Sequence, residues 1–163
     1  MKRAFWLVLT TIIACAGIMG CGDDSSSPAG IGSVSGTVTF LNVGAWPATG
    51  NVQVSIYSAL PADFKPNGAP DAFSNPIAAG TTEYNFKLDG LDTGSYAGVL
   101  VSWRDPANPS GATLLGLYWI HPDSVAVDPA GDVKAPGPTS VAITESNPAH
   151  TGLNITADLS IAP

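Results

Sequence analysis

The chain has 163 residues, enough for one ordinary domain with a tail and too few for two large ones. Hydrophobic residues at 45% and charged residues at 12% exclude a disordered chain, and 18 glycines and 14 prolines oppose long helices. Six basic against thirteen acidic side chains give a net charge of −7, which repels phosphate backbones and excludes nucleic acid as the expected partner.

In chain order, Lys2 and Arg3 precede seventeen uncharged residues, Ala4 to Gly20, rich in apolar side chains. That run is shorter than the roughly 20 apolar residues that span a bilayer comfortably, and it ends in small residues. It reads as a cleaved export signal, with an uncleaved anchor as the alternative. Gly17-Ile18-Met19-Gly20-Cys21 places an aliphatic residue at −3 and a small one at −1 before Cys. This segment resembles the lipobox of bacterial lipoproteins. The resemblance implies removal of residues 1–20 and a mature chain that starts at Cys21, acylated and held by membrane lipid. Two or three acyl chains give lasting attachment, at about 0.8 kcal/mol per buried methylene. Gly22 stands where the Asp that favours inner-membrane retention would be, so the expected site is the outer membrane, facing periplasm or surface.

Residues 21–32 include Asp23-Asp24-Ser25-Ser26-Ser27-Pro28 and read as a flexible acidic tether. Cys15 would leave with the signal and Cys21 would carry lipid, so no thiol remains for a disulfide, a metal or catalysis. Loss of Lys2 and Arg3 leaves four basic against thirteen acidic side chains, a mature net charge of −9.

From residue 33 to 163 the dominant hydrophobic period is two. Val34, Val38 and Phe40 alternate with polar residues, with Gly36 interrupting the apolar face. Val52, Val54 and Ile56 repeat the pattern; so do Tyr84, Phe86 and Leu88, and then Leu153, Ile155, Ala157 and Leu159. Such alternation predicts strands with one packed and one wet face, as in antiparallel sheets. Ser95 to Trp103 and Ala112 to Ile120 are apolar on both faces and should be the most buried strands. Ser124 to Val127 and Thr139 to Thr144 are shorter candidates. Pro61 to Thr81 carries four prolines, which block regular pairing, while Phe64, Phe73 and Ile77 should hold it against the body. The expected fold is an all-β, antiparallel sandwich of seven or eight strands over residues 33–163.

Ser35-Gly36-Thr37-Val38-Thr39-Phe40, Val52 to Tyr57, and Tyr84 to Tyr96 carry a further likeness. The last of these reads F-x-L-x-G-L-x-x-G-x-Y from Phe86. The set resembles the prealbumin-like (transthyretin-like) modules, including carboxypeptidase regulatory-like and Cna-B-type domains, over about residues 33–104. It implies an Ig-like or prealbumin-like sandwich and says little of function. Lys65, Lys87 and Lys134 do not sit in a recognisable isopeptide pattern, so no such bond is expected.

Chemistry is sparse. His121 and His150 are the only histidines, one before Pro122 and one in a turn region, and no nucleophile elbow surrounds a serine. Two distant histidines and no free Cys oppose a zinc site. Asp123, Asp128 and Asp132 near Gly131, and separately Asp89 and Asp92, could ligate calcium but lack the spacing of an EF-hand loop. The bland reading is that such turn aspartates accept backbone amides. No cofactor and no metal is expected. Trp46, before Pro47, and Trp119, beside Tyr118 and near a strand end, could stack on a sugar ring, against the alternative that they fill core or rim. The expected function is a non-enzymatic, lipid-anchored binding, adhesion or assembly module of the cell envelope, with an envelope protein or glycan as partner. A surface glycan-binding accessory protein of a polysaccharide-uptake system is the alternative. An enzyme using isolated carboxylates such as Asp105 and Asp123 would need a cleft.

Overall fold

A computed structural model describes residues 30–108 and 111–163. The segment read as an export signal, the lipidation candidate Cys21 and the segment read as a tether, as far as residue 29, lie outside the described residues. Ten strands occur among the described residues: β1 (Gly32–Leu41), β2 (Asn51–Tyr57), β3 (Ala72–Phe73), β4 (Glu83–Leu91), β5 (Gly94–Tyr96), β6 (Gly98–Arg104), β7 (Thr113–Leu117), β8 (Val141–Ile143), β9 (Ala149–His150) and β10 (Ile155–Asp158). Two short 3₁₀ turns, Val43–Ala45 and Leu159–Ile161, follow β1 and β10. The fold is all-β, as the alternation predicts. No helix among the described residues is long and apolar enough to cross a membrane.

Two four-stranded sheets make the sandwich. One has the order β10-β1-β4, with β9 also on β1; the other has the order β3-β2-β6-β7. A small β5–β8 pair lies beside them. The core is the layer between the sheets. Val34, Val38 and Phe40 of β1, Phe86 and Leu88 of β4, and Ile155 and Ala157 of β10 meet Val52, Val54 and Ile56 of β2 and Val99 and Val101 of β6.

A second apolar layer lies on the other side of the β2–β6–β7 sheet. Tyr57, Leu100, Leu114 and Leu117 pack there under Trp119, Ala126 and Val127. This explains why β6 and β7 are apolar on both faces: each packs into two layers. Burying a Leu or Val side chain there contributes about 1.5–3 kcal/mol before entropy is counted.

Several boundaries differ from the sequence expectation. The run from Ser95 breaks at Ala97 into β5 and β6, because the Ala97 N–H donates to Tyr57 O instead of continuing one ladder. The expected strand at Ser124 to Val127 is replaced by isolated bridges, Val125 to Thr156 and Val127 to Val133. The Pro61 to Thr81 connection is partly regular. Asp71, Ser74 and Ile77 donate their N–H groups to Ile56, Val54 and Val52, with Pro70 and Pro76 outside those bonds. Ile77 is buried and Phe64 half-buried, but Phe73 is 63% exposed, so it does not hold the segment down.

Within this largely antiparallel sandwich, two strand pairings are parallel. β1 pairs with β4 antiparallel, but β10 runs parallel to it, with Val38 opposite Ile155 and Phe40 opposite Ala157. β9 is parallel to β1 as well, with Ser33 opposite Ala149. A period of two reports which face is buried and carries no information on strand direction.

Two glycines make room for this returning chain end. A Cβ on Gly36 of β1 would fall on the Leu153 carbonyl, and Leu153 N–H donates to Ser35 O at 3.1 Å. A Cβ on Gly116 of β7 would come within 2.6 Å of Thr156 O. Gly36→Ala and Gly116→Ala are therefore expected to lower stability by about 1–3 kcal/mol each through backbone displacement. Urea unfolding followed by tryptophan fluorescence measures this, and unchanged midpoints for both variants would refute the steric account.

Candidate functional site

An open groove of about 470 Å³ lies on the outer face of the β10-β1-β4 sheet. Alternation along β1 sends Val38 and Phe40 into the core and turns Thr37, Thr39 and Leu41 outward onto the groove floor. Glu83 at the start of β4 and Asn154 and Thr156 at the start of β10 complete the polar lining.

Pro122 and Asp123 form a wall. They are held there because the Thr156 hydroxyl donates to Pro122 O at 2.7 Å and Val125 bridges Thr156. Thr37 Oγ1 donates to Asn85 Oδ1 at 2.8 Å, which ties β1 to β4 beside the floor.

The lining offers hydroxyls, an amide and two carboxylates, Glu83 and Asp123, without a basic side chain. Such a surface can hydrogen-bond a polyhydroxylated ligand or attract a cationic one. Its lining contains neither a thiol nor a histidine. His121 is next to the wall, in a shallow hollow with Ile120 and Ser124, and its ring lies edge-on to Trp119 at 5.1 Å. His150 is elsewhere, with Nε2 2.7 Å from Ala142 O, and so links β9 to β8.

Trp46 follows the first 3₁₀ turn and is half-buried, its ring edge-on to Phe40 at 5.2 Å. Trp119 is a correction. It is 6% exposed, packs with Leu117 and Val127, and donates its indole N–H to Ser124 O at 3.1 Å. A ring covered in this way has no face to offer a sugar. Trp103 is buried too, with its N–H donated to Thr49 O at 2.7 Å.

Three of the aspartates considered for calcium, Asp89, Asp128 and Asp132, are engaged separately. Asp128 Oδ1 accepts the N–H groups of Ala130 and Asp132 at 2.9 Å and closes its own turn. Asp132 pairs with Lys65 at 3.1 Å and Asp89 with Lys87 at 2.7 Å. No group of three or more potential metal ligands occurs among the described residues. Asp105 lines a different hollow from Asp123, beside Trp103 and Asn108, and accepts the Ala107 N–H. The structure does not join these two carboxylates in one site.

One carboxylate has a clear electrostatic signature. Burial pushes the Asp158 carboxyl up, but hydrogen bonds from Asn42, the Ser160 hydroxyl and the Ser160 N–H outweigh it and hold it below its ordinary value. Asn42 Nδ2 lies 2.8 Å from Asp158 Oδ1. Asn42 adopts φ 53°, which an Asn tolerates better than most residues. This contact ties the end of β1 to the end of β10 and so frames one end of the groove. Tyr57 is shifted upward by burial, with the nearby Arg104 guanidinium opposing that shift.

No single motif joins Thr37, Thr39, Glu83, Asn154 and Thr156, and only the adjacency of β1, β4 and β10 assembles them. Compared with known proteins, the chain matches no family model, no curated protein and no solved structure.

The folded-state pKa of Asp158 is depressed, so its contribution is complete above the ordinary carboxylate range and is lost as pH falls through the folded value. Acid unfolding of the Asp158→Asn variant should accordingly show a shallower loss of stability below about pH 4 than the parent chain. Superimposable stability-versus-pH curves would remove this contact from the account.

Proposed function

We propose that this chain is a non-enzymatic, lipid-anchored module of the cell envelope, built as a prealbumin-like sandwich and used for binding, adhesion or assembly. The observation that carries the reading is Gly17-Ile18-Met19-Gly20-Cys21, eleven residues ahead of the first strand residue, Gly32. Eleven residues can reach at most about 40 Å. That is enough to hold a folded body close to a membrane while leaving it free to turn. The tether enters at Gly32, whereas the groove begins at Thr37, about 17 Å further along β1. An anchored body would thus keep the groove clear of its own attachment point.

Support for the prealbumin-like reading comes from the segment between β4 and β5. Gly90 takes φ 76° at the reversal, Leu91 is 2% exposed at the core edge, and the Tyr96 hydroxyl donates to Asp92 O at 3.0 Å. A reversal at Gly90 and a core plug at Leu91 are what the resemblance implies, whereas Tyr96, which it implies opens the next strand, ends β5.

The glycan-binding reading stands beside this one because of the groove. Its hydroxyls, amide and carboxylates match the hydrogen-bonding needs of sugar hydroxyls, and Trp46 keeps part of its surface outside the core.

Metabolic labelling with a fatty acid tests the anchor: the parent chain should incorporate label, and Cys21→Ser should incorporate none and remain uncleaved. Label retained by Cys21→Ser would overturn the reading. Calorimetric titration with a panel of neutral oligosaccharides tests the groove. If one binds, Asp123→Ala should weaken it about 10- to 100-fold, the loss expected for a hydrogen bond to a charged group. A flat response across the panel would dismiss the glycan reading and leave the anchored module intact.

A further inference from the structure

The outer edge of β4 is the longest regular strand edge without a partner strand among the described residues. β4 lies at the end of its sheet and pairs only with β1. Phe40 N–H donates to Thr82 O, which fixes the phase of that antiparallel ladder. Tyr84, Phe86 and Leu88 therefore direct their N–H and C=O groups at β1, and Glu83, Asn85, Lys87 and Asp89 direct theirs outward. The side chains of these four residues are exposed. No backbone group of another described residue pairs with that edge.

Edge strands usually carry charges that deter indiscriminate pairing. Here the charges select a partner. If a second β4 approaches antiparallel, the outward-pointing residues must face one another, which leaves few registers. Centring the pair between residues 85 and 87 sets Glu83 against Asp89, and centring it on Lys87 sets two lysines face to face. Centring it on Asn85 sets Glu83 against Lys87 of the second copy, and Lys87 against Glu83, with Asn85 opposite itself.

A register that sets Lys87 against Asp89 runs the pairing into Gly90. There φ is 76°, and the β1–β4 ladder has already slipped between Gly32 and Ser33. The Asn85-centred register alone uses the regular length of the strand with opposite charges opposed. It also brings Tyr84 beside Phe86 of the second copy on the inner face, an aromatic cross-strand pair.

We propose that this chain associates with a second copy of itself through antiparallel β4–β4 pairing centred on Asn85. Residues 83 to 87 supply three hydrogen-bonded positions and about six N–H···O=C bonds. The two-fold axis sets the two Gly32 ends about 40 Å apart, because Gly32 pairs with Leu91, six residues beyond Asn85. Each tether would then start at its own end of the dimer. The inference rests on the strand edge and holds whether or not Cys21 is acylated.

Cysteine cross-linking of the full chain in whole producing cells tests it, with the unsubstituted chain as control for Cys15 and Cys21. Under mild oxidation Asn85→Cys should form a disulfide-linked dimer. Glu83→Cys and Lys87→Cys should cross-link poorly alone and well when co-expressed. In the Asn85→Cys background, Lys87→Glu should reduce the dimer at least tenfold, and adding Glu83→Lys should restore it to within twofold of the starting level. No dimer at position 85, or equal cross-linking at 83, 85 and 87, would overturn the proposal. So would failure of the double charge exchange to rescue, provided that circular dichroism shows the variants folded.

Discussion

The return of the chain end onto β1 is the contact on which the rest of this structure depends. Without residues 149 to 158, β1 would pair only with β4, and its Ser35 carbonyl would lose the Leu153 N–H. Closure sets a steric condition on two distant segments, since Gly36 and Gly116 must both lack a side chain where residues 153–157 pass. It also sets an electrostatic one. Asn42, just past β1, and Asp158, at the end of β10, meet through a hydrogen bond that holds the carboxylate ionised. The same closure makes the groove, because Thr37 and Thr39 come from the first strand and Asn154 and Thr156 from the last.

The other sheet is stabilised differently. Its strands β2, β6 and β7 lie between the main core and a cover formed by residues 119 to 133, so that apolar side chains fill both of its faces. The two sheets thus divide the work. The doubly covered one supplies much of the buried area, and the one with a wet face carries hydroxyls, amides and carboxylates that can meet a ligand. A wet face on β1 and β4 is compatible with stability only because apolar burial is concentrated elsewhere.

Much of the fold was legible in the sequence because period-two alternation reports burial directly. β1, β2 and β4 fall within a residue or two of their alternating segments, and the doubly apolar runs became the doubly covered strands β6 and β7. What was not legible is what depends on distant neighbours. Nothing in Ile155 to Asp158 announces that it runs parallel to a strand more than a hundred residues earlier. Gly36 looked like an interruption of an apolar face, yet its absent side chain is what admits Leu153. The groove escaped for the same reason: threonines and an asparagine on wet faces are ordinary until topology gathers them. The stacking reading fails at Trp119, where a strand-end ring is itself part of the cover layer and buried in it. The lipobox-like segment lies outside the described residues and rests on its contiguous residues alone.

Native-state hydrogen exchange of the full chain tests the closing contact most directly. If closure by the chain end holds the sandwich together, the amides of Ile155 to Asp158 exchange only through global unfolding, with the same free energy as Val38 and Phe86. Exchange of the β10 amides at a free energy several kcal/mol lower, while β1 and β4 stay protected, would show that the terminal strand is an appendage and would contradict the account.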